Sequence, residues 1–247
     1  MAILELTDLQ KSFGGVEALN YINMRIEAGE HCSVIGPNGA GKTTLFNAIS
    51  GRFPASSGKI IFDGKDITHL PPYKRINQGM GRTFQITNIY PKLTAFENIQ
   101  AAIIKKVNRG FSFFKPVRLN DQIRQETCEI LKELELEKRA GEVAGNMPYG
   151  DQRLLEVGIA LANQPRLLLL DEPTAGMSPD ETRSTVELIE KVSQERKMTL
   201  LLIEHDMDVV FAISHRIFVL HQGTLIAEGT PQEVSENKEV ISAYFGE

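Results

Sequence analysis

An eight-residue, glycine-rich stretch has the composition and spacing of a phosphate-binding loop. Gly36-Pro37-Asn38-Gly39-Ala40-Gly41-Lys42-Thr43 fits the pattern G-x-x-x-x-G-K-[ST], and it lies between a predicted strand at 32–35 and a predicted helix. Its glycines let backbone N–H groups surround phosphate oxygens, and the N-terminus of the helix adds positive potential. Lys42 would neutralise the β- and γ-phosphates, and the Thr43 hydroxyl would coordinate Mg²⁺. A glycine-rich turn that matches by chance is the alternative, but it does not explain the flanking strand and helix.

Two adjacent carboxylates follow a second apolar strand. Asp171 and Glu172 end the segment RLLLLDE. Unpaired charge at the end of a buried strand costs several kcal/mol, but it is useful where a metal ion and an attacking water bind. We expect Asp171 to hold Mg²⁺ through water and Glu172 to orient and deprotonate the attacking water. The alternative is a strand end whose acids pair with a surface lysine.

Two further polar residues are candidates for the same site. His205 follows the apolar segment TLLLIE, at the strand end where ligand-facing groups collect in open α/β sheets, and we predict that it senses the γ-phosphate. A lone histidine is more often structural. Gln85, in GRTFQ, is a weaker candidate because most such glutamines are surface amides.

Composition limits the class of protein. The chain has 247 residues, 42% hydrophobic and 24% charged, with a net charge of −5 and a pI near 5.7, which gives no general attraction to nucleic acid. Its longest purely aliphatic run is far shorter than the ~20 residues that cross a bilayer. With two cysteines, Cys32 and Cys128, and no recognisable export signal, we expect a reducing cytosol.

The order of elements predicts an α/β fold. Strands and turns fill the first third, residues 90–156 are mostly helical, and strand–helix alternation returns after Pro165. Fully apolar strands such as LLLL and TLLLI are typical of a mostly parallel sheet. We predict a nucleotide-binding core at 1–88 and 161–247, with antiparallel strands near the N-terminus, and an inserted helical subdomain at 89–160.

Local patterns predict further details of these elements. ILEL at 3–6 is expected to be a strand, and IFVLHQGTLIAEG to be a hairpin that turns at Gln222-Gly223. Ser178 is the expected N-cap of a helix, with Glu181 completing a capping box. The segment DQIRQETCEILKELEL is expected to be a helix with an apolar face formed by Ile123, Ile130, Leu131 and Leu134.

The motifs together resemble the ATP-binding cassette (ABC) ATPases of membrane transporters. After Phe13 in KSFGG, five motifs follow in the family's order: the phosphate loop, Gln85, the signature segment MPYGDQ, the acid pair and His205. The segments YGDQRLLEVGIAL, DEPTAGMSPDET and VISAYFGE are most similar to the ATPases of branched-chain amino acid importers. The resemblance implies a P-loop NTPase core with ATP and Mg²⁺ as ligands.

The resemblance also implies roles for individual residues. Lys42, Gln85, Glu172 and His205 are expected to be catalytic, and Thr43, Gln85 and Asp171 to hold the metal. The residues expected to bind nucleotide are Phe13, Val16, Gly36, Pro37, Asn38, Gly39, Ala40, Gly41, Lys42, Thr43, Thr44, Tyr149, Gly150, Asp151 and Gln152.

The signature segment of this family starts a helix whose N-terminus faces ATP held by a second cassette. Here it reads MPYGDQ, with Gly150 at the second glycine of the usual Leu-Ser-Gly-Gly-Gln. Pro148 replaces the serine, and it lacks both a hydroxyl and a backbone N–H. Tyr149 replaces the first glycine, and Ser178 replaces the aspartate of the loop after the acid pair. A turn that merely starts a helix is the alternative.

The resemblance predicts a peripheral protein at the cytoplasmic face of a membrane. Its expected partners are transmembrane permease subunits, a second ABC ATPase (a copy of itself or a paralogue) and, indirectly, a solute-binding protein, but no nucleic acid. The predicted function is ATP hydrolysis that energises uptake of branched-chain amino acids. A lipid or lipopolysaccharide exporter and a non-transport ABC protein are the alternatives. The cluster Phe111, Phe113 and Phe114 is a candidate docking surface for the membrane subunits, although a core role is equally compatible.

Overall fold

The computed structural model describes residues 1–83, 89–107 and 117–245. The chain divides into two units, of which the first comprises Met1–Arg82, Arg166–Glu172 and Ser193–Glu247. The second comprises Thr83–Pro165 and Pro173–Val192. Gln85 and the cluster Phe111, Phe113 and Phe114 lie outside the described residues.

The strands and helices alternate along most of the chain. The strands are β1 (Ala2–Phe13), β2 (Val16–Glu27), β3 (His31–Ile35), β4 (Ser57–Phe62), β5 (Lys65–Asp66), β6 (Met80–Arg82), β7 (Leu167–Asp171), β8 (Thr199–Ile203), β9 (Arg216–His221) and β10 (Thr224–Gly229). The helices are α1 (Lys42–Ser50), α2 (Pro72–Asn77), α3 (Ala95–Val107), α4 (Val117–Glu133), α5 (Tyr149–Leu161), α6 (Pro179–Glu195), α7 (Met207–Ile213), α8 (Pro231–Ser235) and α9 (Lys238–Phe245). Short 3₁₀ helices occur at Glu137–Arg139 and Ala144–Asn146.

The larger sheet of the first unit positions the predicted chemistry. Its order is β10-β9-β3-β8-β7-β6, and all neighbours pair in parallel except β10 and β9. Every residue of β3, β7 and β8 is buried, which explains the apolar runs LLLL in β7 and LLLI in β8. Because these three strands are parallel neighbours, the residues that follow them emerge at one edge of the sheet. That edge therefore carries the phosphate loop, the acid pair and His205.

The smaller sheet is antiparallel, with the order β2-β1-β4-β5. Its apolar face joins α1 and the larger sheet in one core that includes Leu4, Ile22, Phe46, Phe62 and Leu201. β1 runs to Phe13, well beyond the ILEL segment that the sequence pattern predicts. It continues through polar residues because it pairs with a strand on each side, β2 and β4, with irregular register after Leu6.

The second unit is built mainly of α3, α4, α5 and most of α6. The predicted apolar face of α4 is confirmed, since Ile123, Ile130 and Leu131 are buried, as is Leu134 just after the helix. Gly158 on α5 allows close packing, because a Cβ atom there would lie 2.8 Å from Cδ1 of Leu134. The mostly parallel α/β core with an antiparallel sheet and helical elements confirms the predicted fold class.

The second unit includes residues 161–165 and 173–192. The prediction from the sequence places both segments in the nucleotide-binding core. The functional assignment of these two domains stays a prediction.

Candidate functional site

The predicted phosphate loop connects β3 to α1, and its glycines adopt conformations that other residues rarely reach. Gly36, Gly39 and Gly41 have φ values of 148°, 81° and 105°. A Cβ atom on Gly36 would lie 2.0 Å from the carbonyl oxygen of Leu220, so the chain backbone leaves no room for a side chain there. A Cβ atom on Gly41 would lie 2.7 Å from the Ala18 carbonyl oxygen. Gly36 and Gly41 are thus required by packing as well as by the turn, and Gly39 by its backbone conformation alone.

Lys42, the first residue of α1, holds its ammonium group against this loop. Its Nζ donates to the carbonyl oxygens of Gly36 at 2.6 Å and Pro37 at 3.1 Å, and the residue is 6% exposed. Burial lowers the pKa of Lys42, and the negative charges of Glu172 and Asp171 act in the opposite direction. The cation is therefore held near both carboxylates of the acid pair. Thr43 is exposed and Thr44 is half-buried.

Asp171, the last residue of β7, is 2% exposed and lies beside a buried arginine. Arg82 places Nη2 3.3 Å from Oδ2 of Asp171, and its Nη1 donates to Oδ1 of Asn47 at 2.8 Å and to Oγ of Ser50 at 2.6 Å. Arg82 therefore ties the metal-binding candidate to the helix that carries Lys42. Sequence reasoning missed Arg82, because an arginine at a strand end gives no signal that it will be buried.

Glu172 and His205 meet at the end of the larger sheet. Oε1 of Glu172 lies 2.8 Å from Nε2 of His205, and the two side chains are 20% and 48% exposed. Glu172 has a φ of 50°, in the left-handed region, and its N–H donates to the Ile203 carbonyl oxygen at 2.9 Å. The structure thus brings the predicted base and the predicted sensor into direct contact while both remain accessible to solvent.

The chemistry of the donors fits Mg²⁺. This cation prefers oxygen ligands, and Thr43 offers a hydroxyl and Asp171 a carboxylate, both close to the phosphate loop. The negative charge of the Asp171 carboxylate acts to raise the pKa of Lys42. Gln85, the third predicted ligand, lies outside the described residues.

The residues predicted to bind the adenine base flank the turn between β1 and β2. Phe13 and Val16 are register partners across that turn and are 43% and 69% exposed. Gly14 and Gly15 form the turn with φ values of 52° and 90°. The Phe13 ring also contacts the ring of Phe53.

The signature segment starts α5, as predicted. Pro148 is the N-cap residue, and its carbonyl oxygen accepts from the Gln152 N–H at 3.0 Å. Asp151 pairs with Nε of Arg139 at 2.6 Å, and burial together with nearby carboxylates keeps the pKa of Asp151 above its usual value. Gly150 is buried. The proline leaves the N-cap position without an N–H group.

Tyr149 occupies the surface next to the loop after the acid pair. Its hydroxyl accepts from Nε of Arg153 at 3.0 Å, and a Cβ atom on Gly176 would lie 3.3 Å from the tyrosine ring. The predicted N-cap of α6 is confirmed, since Ser178 Oγ accepts from the Glu181 N–H and Glu181 accepts in return from the Ser178 N–H.

Comparison with known proteins identifies the class to which this fold and site belong. The sequence model described as "ABC transporter" matches residues 19–175. The chain belongs to the ABC transporter family, as an ATP-binding subunit, which confirms the resemblance seen in the motifs. A second model, "Branched-chain amino acid ATP-binding cassette transporter", matches residues 224–247.

One curated relative and two solved structures are similar to the chain over nearly its whole length. The chain is 41% identical to the high-affinity branched-chain amino acid transport ATP-binding protein BraF of Pseudomonas aeruginosa, over 99% of this chain and 98% of BraF. An ATP-binding cassette of an ABC transporter, solved in its ADP conformation, is similar with a TM-score of 0.87 and 30% identity over the full length of both chains. A dimeric cassette in a post-hydrolysis state with ADP and Pi is similar with a TM-score of 0.78 and 28% identity, over 92% of this chain and 98% of the other.

Within the described residues, no helix is long and apolar enough to span a membrane.

Proposed function

We propose that this chain hydrolyses ATP to energise a membrane importer of branched-chain amino acids. The observation that carries the proposal is the contact between Glu172 and His205, whose Oε1 and Nε2 atoms are 2.8 Å apart at the sheet edge that also carries the phosphate loop with the buried Lys42. This arrangement supplies a base, a polar partner that orients it, and a cation for the phosphates. The substrate class is supported by the similarity to BraF and by the match of residues 224–247.

In the proposed mechanism, the phosphate loop binds the phosphates of ATP through backbone N–H groups and Lys42. Glu172 accepts a proton from the water that attacks the γ-phosphorus atom, and His205 orients the Glu172 carboxylate through their hydrogen bond. The bond between the γ-phosphorus and the β–γ bridging oxygen breaks as the new P–O bond forms, so ADP leaves with the bridging oxygen and inorganic phosphate is released. Thr43 and Asp171 would hold Mg²⁺, which when bound neutralises the charge on the phosphate oxygens. Phe13 stacks on the adenine base, and Val16 lies beside it.

A second cassette completes each site in this proposal. The support is the dimeric relative with ADP and Pi, together with the position of Tyr149, Gly150, Asp151 and Gln152 in the first turn of α5. The γ-phosphate then favours a closed dimer, and hydrolysis lets it reopen. Because Pro148 removes an N–H from this surface, we favour a partner that is a paralogue with a full signature.

The proposed setting is the cytoplasmic face of a membrane. The chain binds permease subunits there, and a solute-binding protein delivers the amino acid to those subunits. Co-purification of the chain with its membrane subunits, followed by identification of every companion, tests the partners. Recovery of a lipid-exporting permease instead would refute the import assignment.

The hydrolysis step is tested with Glu172→Gln. We expect the variant to bind ATP but to hydrolyse it at least about 10²-fold more slowly, since general bases contribute 10²–10⁴-fold, and to accumulate as an ATP-bound dimer. Glu187→Gln, an equal charge change at an exposed position of α6, is the control. Normal turnover by Glu172→Gln would exclude Glu172 as the base.

A further inference from the structure

The ring of Phe13 is held by two neighbours that the proposed mechanism does not use. Nζ of Lys11 lies 4.7 Å from the ring centroid, a distance at which an ammonium group and an aromatic face attract. The ring of Phe53 meets Phe13 edge-on, with centroids 5.5 Å apart and an interplanar angle of 83°. Phe13 is still 43% exposed, so part of its surface can accept a ligand.

The loop at 51–56 is fixed to the end of β1. Lys11 Nζ donates to the Pro54 carbonyl oxygen at 2.9 Å, which fixes the ammonium group as well as the ring beneath it. The Ser12 N–H donates to Oγ of Ser56 at 3.0 Å, and the Ser56 N–H donates to the Gln10 carbonyl oxygen at 2.8 Å. These bonds hold the loop and the strand end as one surface.

The same loop is anchored to the helix that follows the phosphate loop. The Phe53 N–H donates to the Asn47 carbonyl oxygen at 3.3 Å, in the last turns of α1. The position of Phe53 is therefore set by the element whose other end carries Lys42.

We propose that Lys11 and Phe53 are positioning residues for the nucleobase, which hold the Phe13 ring ready to stack on adenine. This inference rests on the proposed stacking role of Phe13. A free phenylalanine at a strand end would lose side-chain freedom when a base stacks on it, and that loss weakens binding. A ring already held by a cation and a second ring has little freedom left to lose. Lys11 and Phe53 therefore increase the affinity for the aromatic nucleobase, and they do so without contacting the phosphates.

The test separates the base from the phosphates by measuring the Kd of the full chain for ATP and for inorganic tripolyphosphate. Calorimetry with Lys11→Met should show a Kd for ATP about two- to five-fold higher, the range of an exposed cation–π contact, with the Kd for tripolyphosphate unchanged. Phe53→Leu should behave in the same way, and Lys11→Arg should restore ATP affinity. Lys59→Met, the same charge change on β4 of the same sheet, should leave both affinities at the wild-type value.

Phe13→Leu distinguishes failure of this inference from failure of the stacking role. If Phe13→Leu weakens ATP binding but Lys11→Met and Phe53→Leu do not, the positioning role is refuted and stacking survives. If Phe13→Leu leaves the Kd for ATP unchanged, both the stacking role of Phe13 and the positioning role of Lys11 and Phe53 are refuted. Equal weakening of ATP and tripolyphosphate binding in Lys11→Met would also overturn the inference, because Lys11 would then act on the phosphates or on the fold.

Discussion

Replacement of Arg75 should reveal how strongly the phosphate-loop helix depends on one buried guanidinium group. Arg75 on α2 is 1% exposed. It donates to the carbonyl oxygens of Ala48 at 2.8 Å and Ile49 at 2.6 Å, in the last turn of α1, and to those of Thr68 at 2.9 Å and Leu70 at 2.8 Å. Arg75→Met keeps a long apolar stem but removes the guanidinium donors from these four acceptors, of which the Ala48 carbonyl oxygen still accepts from the Gly51 N–H at 3.2 Å.

The expected loss follows from those four bonds. A buried acceptor left unsatisfied costs about 1–3 kcal/mol. The sum of these costs over the carbonyl oxygens is an upper limit on the loss of unfolding free energy. The charged group also loses solvation on burial, which lowers the pKa of Arg75 to about 10, and methionine escapes this penalty. When the relieved desolvation is subtracted from the cost of the unsatisfied carbonyl oxygens, we expect a net loss of about 3–5 kcal/mol. At roughly 2–4 °C per kcal/mol for a chain of this size, Tm should fall by about 6–20 °C.

Urea and thermal unfolding of the full chain would measure this loss. Arg75→Lys should fall between wild type and Arg75→Met, because an ammonium group offers three donors and cannot reach all four acceptors with the planar fork of arginine. Arg183→Met, at an exposed position of α6, controls for loss of charge. Arg75→Met with a free energy of unfolding within about 1 kcal/mol of wild type would refute the reasoning, since it would mean that water satisfies the carbonyls.

Three further predictions concern the site and its acid sensitivity. Gly36→Ala should cost roughly 1–3 kcal/mol of stability and weaken ATP binding in calorimetry, because its Cβ would lie 2.0 Å from the Leu220 carbonyl oxygen; an unchanged Kd for ATP would contradict this. Arg139→Gln should weaken ATP-dependent dimerisation, measured by sedimentation with the partner cassette, because it leaves the Asp151 carboxylate uncompensated at the start of α5. The added change Asp151→Asn should restore dimerisation, and no rescue would rule out the charge explanation. Burial lowers the pKa of His31 to about 4, so the folded state excludes a proton that the unfolded chain binds below its ordinary value of 6.5. Stability should therefore be unaffected by His31 above pH 6.5 and fall by up to about 1.4 kcal/mol per unit as pH drops from 6.5 to 4, and His31→Gln should flatten that part of the urea-denaturation profile.

Features that depend on a few neighbouring residues could be predicted from the sequence. Gly51 ends α1 with a φ of 80°, as its position after the apolar helix suggests. Gln222 and Gly223 form the predicted hairpin turn with φ values of 47° and 80°. The phosphate loop belongs to the same class, because its glycines, lysine and threonine are consecutive.

Features that depend on distant partners could not be predicted. Arginine is almost always exposed unless it is paired, and the acceptors of Arg75 and Arg82 come from segments up to 89 residues away along the chain. Nothing in the local pattern around either arginine indicates those acceptors. The contact between Glu172 and His205 was predictable only as a shared sheet edge, since their distance depends on the backbone conformation of Glu172.

That backbone conformation makes the acid position a weak point of the scaffold. A side chain at φ 50° holds the backbone about 1–2 kcal/mol above its relaxed form, and glycine would relieve the strain at once. Selection for thermal stability alone would therefore favour substitution of Glu172 by glycine. In the proposed mechanism a glutamate is needed there for turnover, so the requirement for a base keeps this cassette slightly less stable than its fold permits.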